Sequence, residues 1–406
     1  SNTTANYNIA VGYQAGYSNT TGQYNTTVGS YALYANSTGT ENTAIGYSAL
    51  ELNQTGDYNT ALGFKSLEAN TTADFNTAVG WSALKDNQTG VQNVAIGSQA
   101  LFNTTSSYNV AVGHQSLYTN TTGTYNVAVG DYALYYNTSA SYNTAIGWDA
   151  LLNSTGGSNT AVGYQASEKT TTGNGNVTMG VEAHFENTTG GSSVAIGYYA
   201  LRSNTTGTQN VAVGREALRY NTTANNNTAL GHNAARGANG GAELVAIGRD
   251  ALYSSTSGSE NTSVGSVSLY SNTTGNSNTA VGRQASYSNT TASNNVSVGY
   301  QAAYSNTTAT NVVAVGKGAG YSATVGGYSC YVGSNAGLYT TGSENQFFGK
   351  EAGYFVTTGR KNTILGAYNG NEGGLDIRTS DNNIVISDGD GNPYLYKTSG
   401  DKWTII

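Results

Sequence analysis

The residues of this chain best suited to touch a ligand are its aromatics, and they fall in columns. Trp81, Trp148, Tyr13, Tyr47, Tyr164 and Tyr198 each follow a Gly at the same register of a recurring unit. A second column holds Tyr17, Tyr34, Phe102, Tyr118, Tyr135, Tyr253, Tyr270, Tyr287, Tyr304 and Tyr321. A third, just before an Asn, holds Tyr24, Tyr58, Phe75, Tyr108, Tyr125 and Tyr142. Sugars lay their apolar faces on such rings, so the first column is a candidate carbohydrate surface whose weak sites gain avidity by repetition. Rings stacked on neighbouring strands also stabilise a repeat with no ligand at all.

A second recurring group is the Asn-x-Thr/Ser of the turns, at Asn19, Asn36, Asn120, Asn204 and eleven other turn positions. In a secreted chain this stripe offers N-glycosylation. In a chain that never meets that machinery, the same Asn and Thr close and stack turns.

Nothing in the sequence assembles a catalytic centre, a cofactor site or a metal site. His114 and His232 follow the motif Gly, where Tyr, Trp, Arg, Ser and Lys also occur, and His184 stands at a different register. The glycines recur with the repeat and precede no Lys-Ser/Thr, so they form no phosphate loop. Asp388-Gly389-Asp390-Gly391-Asn392 opens like a calcium loop. Pro393 then stands where Gly is needed and Ser399 where Glu is needed, which favours a hairpin turn between 384–386 and 394–396. Cys330, the one cysteine, occupies a strand position and reads as a small buried hydrophobe.

The element that positions these residues is a tract of the form Asn-Thr-Ala-Val-Gly. It starts at 8, 25, 42, 59, 76, 93, 109, 126, 143, 159, 176, 193, 210, 227, 244, 261, 278, 295, 312, 329, 345 and 362, which makes 22 units. Eighteen of the intervals are 17 residues and three are 16. Two of the short ones lose a residue between strand and turn, which marks a loop edge. The β-branched, alternating tract ended by Gly predicts a strand. Ala-Leu or Ala-Ala follows, then an Asn-Thr-Thr-Gly turn. Seventeen residues suit one coil of an all-β, parallel β-solenoid with two short strands per coil, about 4.8 Å apart between coils.

The strand is apolar on both faces. Its first and third residues, such as Val127 and Val129, are expected to fill the coil, and its central Ala to face a second chain at close approach. A slender coil has little core for its surface, which also favours association, most simply with three-fold symmetry.

Composition narrows the function classes. Charged residues are 10% and the net charge is −7, which argues against nucleic acid and anionic membranes as partners. No run approaches the roughly 20 apolar residues of a membrane helix. The chain begins in mid-repeat at Ser1, as a fragment or processed product does. The array spans 1–368. From 369 to 406 the period is lost, and that segment reads as a cap or neck with a β-hairpin.

The strand motif over residues 8 to about 368 resembles the head repeats of trimeric autotransporter adhesins, with a longer period and an added Asn-Thr-Thr turn. That resemblance implies a left-handed β-roll in an intertwined or side-by-side homotrimer. The segment Asp381-Asn382-Asn383-Ile384-Val385-Ile386-Ser387-Asp388-Gly389-Asp390-Gly391-Asn392, with Pro393-Tyr394-Leu395-Tyr396 and Trp403-Thr404-Ile405-Ile406, resembles bacteriophage tail fibres just upstream of their self-cleaving chaperone domain. It implies a virion fibre shaft that contributes to attachment to a host-cell glycan or protein. The alternatives are a bacterial cell-surface adhesin head and a glycosylated extracellular structural filament.

Overall fold

Each Asn-Thr-Ala-Val-Gly tract is short because Gly ends it and Asn precedes it, and the strand it leaves is three residues long. The computed structural model describes residues 5–399 and 403–405. Ser1 and Ile406 lie outside the described residues. The protein is a parallel β-solenoid of about 22 turns, with no helix among the described residues.

Two compact units divide it, 1–206 and 207–406. In the first, strands from Ile9–Val11 to Val194–Ile196 pair successively in parallel, like residue on like, so that Ala44 faces Ala61 and Ala61 faces Ala78. In the second, strands from Val211–Val213 to Thr363–Leu365 pair in the same way.

One strand per coil forms, not two. The opposite wall runs through residues such as Ser48 and Leu50, whose φ values are 51° and 54°. Alternation of left-handed with right-handed backbone prevents a β ladder. The wall is still hydrogen-bonded from coil to coil: Ser48 N donates to Ser30 O (3.0 Å) and Leu50 N to Ser66 O (3.0 Å). Each left-handed non-Gly residue costs on the order of 1–2 kcal/mol, so this wall depends on the packing behind it.

The strand is also turned over relative to the expectation from sequence. The central Ala points into the coil and is fully buried, as at Ala44, Ala61, Ala78 and Ala128, while the first and third residues face outward. The reason is volume. Leu33, Leu50, Leu67 and their equivalents enter from the opposite wall and are themselves fully buried, which leaves room for a methyl group and no more. The Ala column is therefore core and not a contact with another chain. The Gly that ends each strand is equally constrained: Gly130 has φ +132°, and a Cβ there would lie 2.5 Å from Gly147 O in the next coil.

Near the end of the array the two walls exchange sizes. Tyr331 and Phe347 occupy the Ala register, fully buried, and Gly337 and Gly353 occupy the Leu register of the same coils. A Cβ on Gly353 would run into the Phe347 ring, and one on Gly337 into the Tyr331 ring. Large-over-Gly thus replaces small-over-Leu at similar total volume.

The segment after 368 continues the roll. Ile384–Ser387 adds one more parallel strand to Thr363–Leu365, and Pro393–Lys397 and Trp403–Ile405 follow antiparallel. Leu375, Ile377 and Val385 share one core with Phe347 and Ile364, so the cap packs on the last coils.

The exchange of sizes is testable. Phe347→Ala should cost about 3–5 kcal/mol through the cavity it leaves. Phe347→Ala combined with Gly353→Leu recreates the Ala/Leu pair of the other coils and should recover most of that loss in equilibrium urea unfolding. A double variant no more stable than the single one would show that the two walls are not complementary.

Candidate functional site

The interior is polar as well as apolar. Two columns of buried Asn carboxamides run along it, the motif column in most coils and the turn column in many, with Ser, Thr or Ala in some of the remaining turns. The motif Asn accepts from the backbone of the next coil and donates across the turn: Asn42 Oδ1 takes the Asn59 N–H (3.0 Å), and Asn42 Nδ2 donates to Gly56 O (2.8 Å). The turn Asn donates to the same carbonyl and to its neighbour: Asn53 Nδ2 reaches Gly56 O (3.0 Å) and Asn36 Oδ1 (2.9 Å). The second unit repeats the pattern, with Asn227 N on Asn210 Oδ1 (3.0 Å) and Asn289 Nδ2 on Asn272 Oδ1 (3.2 Å).

This geometry corrects the glycosylation reading. Asn19, Asn36, Asn120 and Asn204 belong to the turn column and are buried. The nitrogen that would carry a glycan already donates inward, from Asn19 to Gly22 O (2.9 Å), Asn36 to Gly39 O (3.0 Å), Asn120 to Gly123 O (2.9 Å) and Asn204 to Asn187 Oδ1 (3.1 Å). A sugar on any of them would have to occupy the coil interior.

The outward aromatics are where the sequence places them, on the surface. Trp81 is 51% exposed and Trp148 43%, and Tyr13, Tyr47, Tyr164 and Tyr198 are comparably open. They do not form one site. Tyr13 and Tyr47 share one run, joined through Tyr31 edge-on at 5.5 and 6.1 Å and continued to Phe64 at 5.3 Å, while Trp148 stacks on Tyr164 at 5.0 Å and Tyr198 on Tyr199 at 3.8 Å elsewhere. The other columns are ring ladders. Tyr108, Tyr125 and Tyr142 stack at 4.9 and 5.4 Å, and Tyr253 to Tyr321 form five stacked rings 5.0–5.2 Å apart.

The overturned strand gives a surface that sequence reasoning missed. The third strand residues make an outward stripe of Val, Ile and Leu, with Leu62, Ile96, Ile146, Met179 and Leu230 all 40–48% exposed. Beside it runs a column of Thr and Val from the first residues, and none of the 22 strands carries a charge there. Cys330 lies on this face, half-buried and not in the core, and partial burial raises its thiol pKa.

The remaining candidates are structural. Asp388 Oδ1 accepts from Asp390 N (3.0 Å) and Asn392 N (2.8 Å), which makes the acidic loop a side-chain-closed turn. Among the described residues no three His, Cys, Asp or Glu gather closely enough to share a metal ion. His184 takes the place of a core Leu, and its following alignment with Ala183 was a readable signal for that. Nε2 accepts from Asn204 Nδ2 (3.1 Å), and Nδ1 has no hydrogen-bond partner. Among the described residues no helix is long and apolar enough to cross a membrane. No protein-family model, curated protein or solved structure matches the chain.

Full burial pushes the His184 pKa down to about 3 from 6.5. Above pH 6.5 the imidazole is neutral in both folded and unfolded chains. Between 6.5 and 3 only the unfolded chain takes up the proton, so stability is lost progressively as pH falls. His184→Leu restores the usual core residue. It should flatten the pH dependence of urea unfolding in that window, and an unchanged slope would show that His184 titrates freely in the fold.

Proposed function

We propose that this protein is a non-catalytic structural fibre, the shaft of a bacteriophage tail fibre, assembled as a homotrimer and contributing to host-cell attachment. The observation that carries assembly is the uncharged outward strand face. Twelve strands in the first unit, at about 4.8 Å each, make a stripe roughly 60 Å long. At about 10 Å of side-chain width that is some 600 Å², approaching the roughly 800 Å² per partner that a specific interface buries and at the upper end of what a monomer commonly exposes in one patch. Thr and β-branched residues on a flat parallel face suit packing against the same face of further copies about a common axis.

Extension is supported by the coil itself, in which strands pair only with those of neighbouring coils, as in other solenoids. The phage reading draws on the 381–392 segment and on the added strand and hairpin that close the array. A bacterial adhesin head fits the same shaft. The buried turn Asn column weighs against the glycosylated filament. The exposed Trp81 and Trp148 patches are compatible with weak glycan contacts along the shaft.

Light scattering after size exclusion should give about three times the 41.9 kDa chain mass. Val129→Lys with Ile146→Lys should lower that mass toward one chain without lowering the melting temperature, because both side chains face outward. A wild-type mass of one chain would sink the trimer reading.

A further inference from the structure

One register of the second unit is interrupted. Two residues past the strand-ending Gly, most coils carry a polar side chain, and successive ones bond: Gln301 Nε2 donates to Gln284 Oε1 at 3.0 Å. In the next coil that place is Gly318, and in the one after it is Asn335. The missing side chain opens a notch of about 320 Å³. Its floor is the turn in which Tyr321 N donates to Gly318 O (3.3 Å).

The walls differ in chemistry. On one side is Tyr321, the last of five stacked rings, with Leu338 taking the ring register in the next coil and Tyr339 beside it. On the other are the carboxamides of Gln301 and Asn335 and the ammonium of Lys317. Among the described residues, the Asn335 carboxamide and Gln301 Oε1 have no protein hydrogen-bond partner, so both donors and acceptors are available. No carboxylate lines the notch, which disfavours cations, and a single ammonium is weak provision for a phosphate.

We infer that the Gly318 notch binds one pyranose unit of a neutral saccharide. The ring and Leu wall would meet the apolar C–H face of the sugar, and the carboxamides would pair with adjacent hydroxyls, the combination of apolar surface and few placed polar groups that small-ligand sites use. The size suits one sugar ring, and the open sides let a longer glycan pass through. The notch is lined by residues of one chain, so it needs no partner copy to be complete.

The test is saturation-transfer-difference NMR on the full chain with methyl glucoside, galactoside and mannoside. Transfer to the C–H protons of at least one of them is expected. Gly318→Gln fills the notch with the residue of the two preceding coils, where Gln284 and Gln301 hold φ of 60° and 55°. The new Cβ would meet two side-chain ends that can move, Asn335 Oδ1 at 2.6 Å and Leu338 Cδ1 at 3.3 Å. The variant should melt like wild type and lose affinity by about tenfold or more. Tyr321→Ala should weaken binding also, while Trp148→Ala leaves it unchanged. Equal transfer in wild type and Gly318→Gln, or no transfer from any of the three glycosides, would overturn the assignment.

Discussion

The fold rests on buried carboxamides. A coil of 17 residues with a three-residue strand leaves most of its backbone outside any β ladder, and part of that backbone points inward. A buried carbonyl without a partner costs roughly 1–3 kcal/mol. Gly56 O receives two, from Asn42 and Asn53, and the same convergence recurs at Ala73 O from Asn59 and Asn70. Each Asn also reaches the next coil, so polar satisfaction and coil stacking are the same contacts. This is why Asn persists at two registers while the outward residues between them vary freely.

The apolar side of the interior follows from the space the ladders leave. Ala on the strand and Leu on the opposite wall fill it, and packing near this density admits little change in volume. Where the strand residue grows to Tyr331 or Phe347, the facing register falls to Gly. The left-handed wall is tolerated because those buried Leu side chains and the cross-coil hydrogen bonds determine its conformation from both sides.

Much of this was legible in the chain. The Asn-Thr-Ala-Val-Gly period gave each strand's position to the residue, and the Asn-Thr-Thr-Gly tracts gave the turns. The direction of the strand was not legible, since alternation fixes which residues share a face and not which face is inside. The larger residues Val127 and Val129 looked like core only while the Leu from the opposite wall was unplaced. The turn Asn carries a modification signal and a ladder signal in the same letters, and only burial separates them. Gly318 differs from its neighbours in sequence, yet the notch becomes visible only when Tyr321 and Asn335 are set beside it.

The sameness of the coils has a price in folding. A chain displaced by one whole repeat would find Ala opposite Ala, Asn opposite Asn and Gly opposite Gly, with almost every hydrogen bond intact. The fit of Tyr331 against Gly320 of the preceding coil does not survive such a displacement, nor does the seating of His184 against Asn204. These irregular coils act as index marks: they give an otherwise degenerate register one correct alignment, and a library of consensus coils without them would be expected to lock into many.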